Sequence, residues 1–186
     1  MTETPPTTGT IRASRRVSLI ALMAALALVG NYALVVVPNV ELGSTVFFVT
    51  AYMFGFSVAL PCVFIVSLAF GLVNPWGAFI PQIWITQVIG WSYMTVVAEL
   101  LRPKSARGGY PRNIELAFVG GIVTVFFDLV TNIGYSLAFS IPYYVALIAG
   151  LPFMVVHVLS NAFFFGTAVP LIQRAVLSNL ADQIWE

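Results

Sequence analysis

Long apolar stretches, interrupted at a few points by turn residues, organise this chain. From Val17 to Leu101, and again from Asn113 to Gln173, there is no Lys or Arg. Within the first stretch, Pro38-Asn39-Val40-Glu41-Leu42-Gly43 and Asn74-Pro75-Trp76-Gly77 are clear breaks, and Gly55 to Ser57 is a weaker one. The second stretch divides at Ser140-Ile141-Pro142. The pattern predicts an all-α membrane protein with six transmembrane helices at about 17–37, 44–55, 58–73, 79–101, 114–139 and 144–174. The segment 44–55 is the weak point. At 1.5 Å per residue it rises only about 18 Å, against a hydrocarbon core of about 30 Å.

Charge fixes the direction of each helix. The basic residues gather as Arg12, Arg15 and Arg16, then Arg102, Lys104, Arg107 and Arg112, with Arg174 alone near the end. Lys and Arg in short loops mark the cytoplasmic side of a membrane protein. Each apolar stretch must therefore leave the cytoplasm and return, which requires an even number of crossings. Four in the first stretch and two in the second satisfy this and place both termini in the cytoplasm. The expected organisation is a disordered cytoplasmic tail at 1–15, one integral domain at 16–175 and a cytoplasmic tail at 176–186. The apolar run after Arg16 is too long for a signal peptide and lacks a convincing cleavage site, so it reads as a membrane helix. The expected location is the cytoplasmic (plasma) membrane, as a multi-pass protein.

Composition agrees and narrows the functions. The 186 residues are 60% hydrophobic and 8% charged, whereas a soluble domain carries about 25% charged residues. Mean hydropathy is +0.96. No basic surface is left to hold nucleic acid. One His and one Cys cannot build a conventional zinc site. There is no P-loop, no H-E-x-x-H and no G-x-S-x-G. No catalytic residue, cofactor or bound metal is expected, and the chain does not read as an enzyme.

Polar residues inside the apolar helices are the candidates for function. Asp128 is the single acidic residue deep in an apolar segment, where burying a carboxylate costs about 2.5–3.5 kcal/mol or more. Asn132 and Tyr135 follow at i+4 and i+7 on the same face. His157 and Asn161 repeat the i, i+4 spacing on the last helix, and Trp84, Gln87 and Trp91 line a stripe on the fourth. With the directions set by charge, Gln87 lies about 12 Å, Asp128 about 15 Å and His157 about 20 Å below the outer ends of their helices. The expectation is one outward-facing pocket of carboxylate, amide, imidazole and indole groups, suited to a flat polar heterocycle. Asn39, Glu41, Asn74 and Trp76 in the outer loops are placed to close over it. The competing reading is that Asp128 simply pairs with His157 or Asn132 to hold the bundle together. Glu99 beside Arg102, and Glu115 beside Arg112, read as interfacial helix pairs. Ala21 and Ala25 share a face of the first helix, where small residues let another helix approach closely.

The six-helix hydropathy, the Ala21-Leu22-Met23-Ala24-Ala25 run and the Pro38-to-Gly43 loop before a short second helix have a parallel. Over about 16–175, the chain resembles the substrate-binding S components of energy-coupling factor transporters. The resemblance implies capture of a vitamin-like micronutrient on the outer side. It also implies partnership with a transmembrane coupling subunit, docked at Ala21 and Ala25, and with two ATPase subunits. The family has no universal binding motif, so the pocket residues rest on topology. A metal cargo is not expected, because no His-rich N-terminal ligand set accompanies Asp128 and His157. Three rivals stand beside this reading: a stand-alone proton-coupled transporter using Asp128 and His157, a membrane enzyme using them as acid and base, and a non-transporting scaffold.

Overall fold

The computed structural model describes residues 13–102 and 111–185. The expectations for residues 1–12, for the basic residues Arg12, Lys104 and Arg107, and for the side chains from residue 179 onward lie outside what it describes. Among the described residues the chain forms six helices and no strand: α1 (Ala13–Ala33), α2 (Gly43–Phe54), α3 (Phe56–Leu72), α4 (Pro81–Leu101), α5 (Asn113–Phe139) and α6 (Tyr143–Trp185). Ser14–Ala33, Asn113–Phe139 and Tyr143–Ser178 are long and apolar enough to cross a membrane, and α2 and α3 are shorter apolar helices. Large apolar side chains such as Leu100, Phe118 and Ile148 are exposed on the outside of the bundle. That extent of apolar exterior is foreign to a water-soluble monomer.

Three boundaries differ from the sequence expectation by more than two residues. Helix α1 starts earlier, at Ala13, so residues 13–15 are helix rather than tail, and it ends at Ala33 instead of 37. Helix α6 continues past 174 to Trp185. No Gly or Pro follows Pro170 to stop it, and straight-chain and Ala residues in the run favour continuation.

Helix α2 is the hub. All twelve of its residues are buried, as expected of a helix apolar on every side, and it packs against α1, α3, α4 and α6. The junction with α3 is a single residue, Gly55, at φ 94° and ψ 158°, a conformation that belongs to glycine almost alone. The end of α4 completes this junction. Glu99 Oε2 accepts the Phe56 N–H at 2.7 Å, capping α3, while Arg102 Nη2 approaches the Met53 carbonyl at 3.5 Å. Pro61 has no N–H to give the carbonyl four residues back. That carbonyl, of Ser57, instead accepts from Arg16 Nη2 at 2.8 Å.

Arg16, Gly55 and Arg102 therefore share one end of the bundle. At the other end Asn31 of α1 meets Gly43 of α2, and the Tyr32 hydroxyl donates to the Val73 carbonyl at 3.0 Å. Helix α2 thus runs from beside the end of α1 back toward its start, and α3 returns beside it. The later helices also alternate in direction. Gly90 and Thr86 of α4 lie against Phe127 and Gly134 of α5, and Gly120 and Asn132 of α5 lie against Phe165 and Gly150 of α6. The α5–α6 turn is fixed by Ser140 at φ 53°, by Pro142, and by the Ser136 hydroxyl donating to the Ile141 carbonyl at 2.6 Å.

Candidate functional site

A cavity of about 790 Å³ opens at the end of the bundle opposite Arg16 and Arg102. Its walls come from the loops at 35–41 and 74–80, the first half of α4, the second half of α5 and the first half of α6.

The 35–41 loop reaches the cavity because its ends are pinned. Asn31, in the last turn of α1, accepts the Gly43 N–H on its Oδ1 at 3.1 Å. The approach leaves no space for a side chain at position 43. Leu42 N–H donates to the Gly30 carbonyl at 3.3 Å. Between these points Asn39 takes the left-handed conformation, φ 60°, and its carbonyl accepts from the Ser160 hydroxyl of α6 at 3.3 Å. Glu41 then points inward. Its Oε2 accepts the Ser44 N–H at 2.8 Å, capping α2, and its Oε1 faces His157 Nε2 at 3.6 Å.

His157 is held from its other side by Asp128, with Nδ1 and Oδ1 2.8 Å apart. Both residues are 4% exposed. The Phe127 ring meets the imidazole edge-on at 5.5 Å between centroids. The floor of the cavity is thus carboxylate–imidazole–carboxylate, assembled from a loop and two helices. Burial pushes the Glu41 carboxyl up, but the attraction of His157 and the bonds from Ser44 outweigh it, so the group lies below the ordinary glutamate value. Glu41 is accordingly ionised at neutral pH. Asp128 Oδ2, His157 Nε2 and Glu41 Oε1 are buried atoms without a hydrogen-bond partner. Buried polar atoms are normally satisfied; His157 Nε2 and Glu41 Oε1 face each other at 3.6 Å, which leaves Asp128 Oδ2 as the acceptor open to a ligand.

Trp84, Gln87 and Trp91 all line the cavity. The two indole N–H groups are already used: Trp84 Nε1 donates to Ser67 Oγ at 3.2 Å and Trp91 Nε1 to Ser44 Oγ at 3.0 Å. The indoles therefore offer the cavity ring surface rather than donors. Trp91 packs on Phe127 with the rings tilted by 38° and their centroids 5.3 Å apart. Asn132 lines the cavity, but its Nδ2 donates back to the Asp128 carbonyl at 2.7 Å. Tyr135 is half-exposed and packs on Phe139. Asn39, Asn74 and Trp76 line the cavity from the loops, as expected.

Asn161 does not belong to this group, contrary to the sequence expectation. It is fully buried, and its Nδ2 donates to Thr124 Oγ1 of α5 at 3.0 Å. One turn beyond His157 the α5–α6 seam is closed by Gly120 against Phe165, so the same helix face passes from cavity to packing. Sequence reasoning also missed Asn31, whose Oδ1 is bonded but whose buried Nδ2 is an orphan on the lining. A lone amide in an apolar helix was the available signal, the same kind that singled out Asp128.

Away from the cavity, Ala21 and Ala25 are exposed, while Met23, Ala24 and Ala27 turn into the core. The small-residue face is therefore not consumed by packing within the chain. Glu99 with Arg102 at 3.6 Å and Glu115 with Arg112 at 2.8 Å form the expected pairs, and both are structural. Compared with protein-family models, with curated proteins and with solved structures, the chain matches none of them, so a functional reading rests on this geometry.

Proposed function

We propose that the protein is the substrate-specific binding subunit of an uptake system for a small organic, vitamin-like micronutrient. In this reading the six helices cross the cytoplasmic membrane with both termini inside. The cavity then opens outward, because the opposite end of the bundle carries Arg16, Arg102 and Arg112. The short α2 is tolerated as a crossing because it is enclosed by its neighbours and meets little lipid.

The observation that carries the reading is the cavity itself. Its volume of about 790 Å³ lies within the range of about 300–1,000 Å³ typical of small-molecule sites. Its composition is also that of such a site, with aromatic walls and a few convergent polar atoms. The exposed Ala21/Ala25 face supports a second helix-bearing partner, which the resemblance to S components makes a transmembrane coupling subunit acting with two ATPases. The sequence has no P-loop, so in this reading ATP is used by the partners.

The buried Asp128–His157 pair favours a second reading, a stand-alone proton-coupled transporter. Reconstitution separates the two. A binding subunit holds its substrate without ATP and moves it only with coupling partners and ATP. A proton-coupled transporter accumulates substrate alone when a pH gradient is imposed. Accumulation by the chain alone sinks the binding-subunit reading.

A further inference from the structure

The cavity floor is acidic, and nothing on the lining balances it. Glu41 and Asp128 are carboxylates, His157 is the one basic group among the lining residues, and no Lys or Arg is present there. Two carboxyl groups thus share one imidazole in a site partly withdrawn from water.

The orphaned atoms point the same way. Asp128 Oδ2 is an acceptor without a donor, Glu41 Oε1 has only His157 Nε2 facing it at 3.6 Å, and the Asp128 side chain is 6% exposed. A buried carboxyl oxygen without a donor is unfavourable until a donor reaches it. Aromatic rings line the same space, among them Trp84, Trp91 and Phe127, and ring faces attract cations as well as flat apolar bodies. The indole N–H groups are bonded elsewhere, so the two tryptophans offer ring faces, while the Gln87 amide is a neutral polar group on the lining. Asn31 Nδ2 is a remaining donor, placed to orient a ring acceptor.

We infer that the ligand is a planar aromatic cation, an amine or amidinium on a flat ring, whose N–H groups donate to Asp128 and Glu41 while the ring lies among the aromatic side chains. The inference rests on the cavity being the ligand site and deepens that reading by naming the charge class. It excludes ligands whose buried end is a carboxylate or a phosphate.

The test uses the purified full chain and three probes with one ring: benzamidine, benzamide and benzoate. Binding is followed by the fluorescence of the cavity tryptophans, up to millimolar probe. The expected result is saturable binding of benzamidine, tighter than benzamide by on the order of tenfold, with none for benzoate. Glu41→Gln and Asp128→Asn should each bring benzamidine down toward benzamide. Glu41 lies on a loop, so its variant serves if Asp128→Asn fails to fold. Equal binding of the three, a preference for benzoate, or no saturable binding of benzamidine overturns the inference. A neutral or anionic molecule retained from cell extract overturns the charge class alone and leaves the uptake reading standing. Retention of no molecule removes both.

Discussion

Asp128 on α5 and His157 on α6 meet at 2.8 Å, Oδ1 to Nδ1, both almost wholly buried at the floor of the cavity. A pair made only to join two helices would have its remaining atoms satisfied. Here Asp128 Oδ2 is left open, and Glu41 Oε1 comes in from a loop to within 3.6 Å of the second ring nitrogen of the imidazole. The contact both fastens the α5–α6 seam and presents chemistry to the cavity.

Glu41 gives the site a pH dependence. Its carboxyl lies below the ordinary glutamate value in the folded chain, so the loop contact it makes is stabilising at neutral pH. That contribution is lost as pH falls through the depressed folded value, since protonation removes the attraction to His157. Tryptophan fluorescence, which includes the loop residue Trp76, should be constant from neutral to mildly acid pH and change only in strong acid. In Glu41→Gln the transition should be gone. A wild-type transition at or above the ordinary glutamate value would contradict the assigned direction.

The α2–α3 junction makes a stability prediction. Gly55→Ala must place a Cβ at φ 94°, 2.9 Å from Arg102 Nη1. Strained backbone of this kind costs about 1–3 kcal/mol, so a clear fall in thermal stability is expected. Glu99→Ala removes the cap on Phe56 N–H and should cost about 1 kcal/mol or more. If either variant unfolds at the wild-type temperature in detergent, the junction is not built as described.

The Ala21/Ala25 face predicts a separation of stability from assembly. Both residues are exposed, so Ala21→Trp should leave the unfolding temperature of the isolated chain nearly unchanged, within about 0.5 kcal/mol. Co-purification with a coupling subunit should be lost. Loss of stability would place the face inside the fold, and intact co-purification would place the docking surface elsewhere.

Sidedness can be read by labelling. In a Cys62→Ala background, Trp76→Cys should react with a membrane-impermeant maleimide on intact cells. Arg112→Cys should react only after the membrane is opened. Labelling of both from outside would remove the six-crossing arrangement.

The helix plan was legible because turn residues and the absence of Lys and Arg report directly on breaks and parity. Gly55 was visible as a weak break, and the structure makes it a sharp one because Glu99 and Arg102 close it. Those two residues read only as a surface pair, since a contact across 43 residues of sequence leaves no local mark. Periodicity put Asn161 on the same face as His157, and that is correct. What it could not show is where along that face the cavity ends, which Gly120 and Phe165 decide by packing. Glu41 was placed near the pocket by topology, but its approach to His157 depends on the pinned loop and the left-handed Asn39.

The central claim, that this cavity holds a small organic molecule, is most directly tested by metabolite capture. Purified wild-type chain and Asp128→Ala, each shown to be folded by helicity, are incubated with cell extract without ATP, washed and examined by native mass spectrometry. One small organic species should be retained at one per wild-type chain and be absent from the variant. No retained species, or equal retention by both proteins, would contradict the claim.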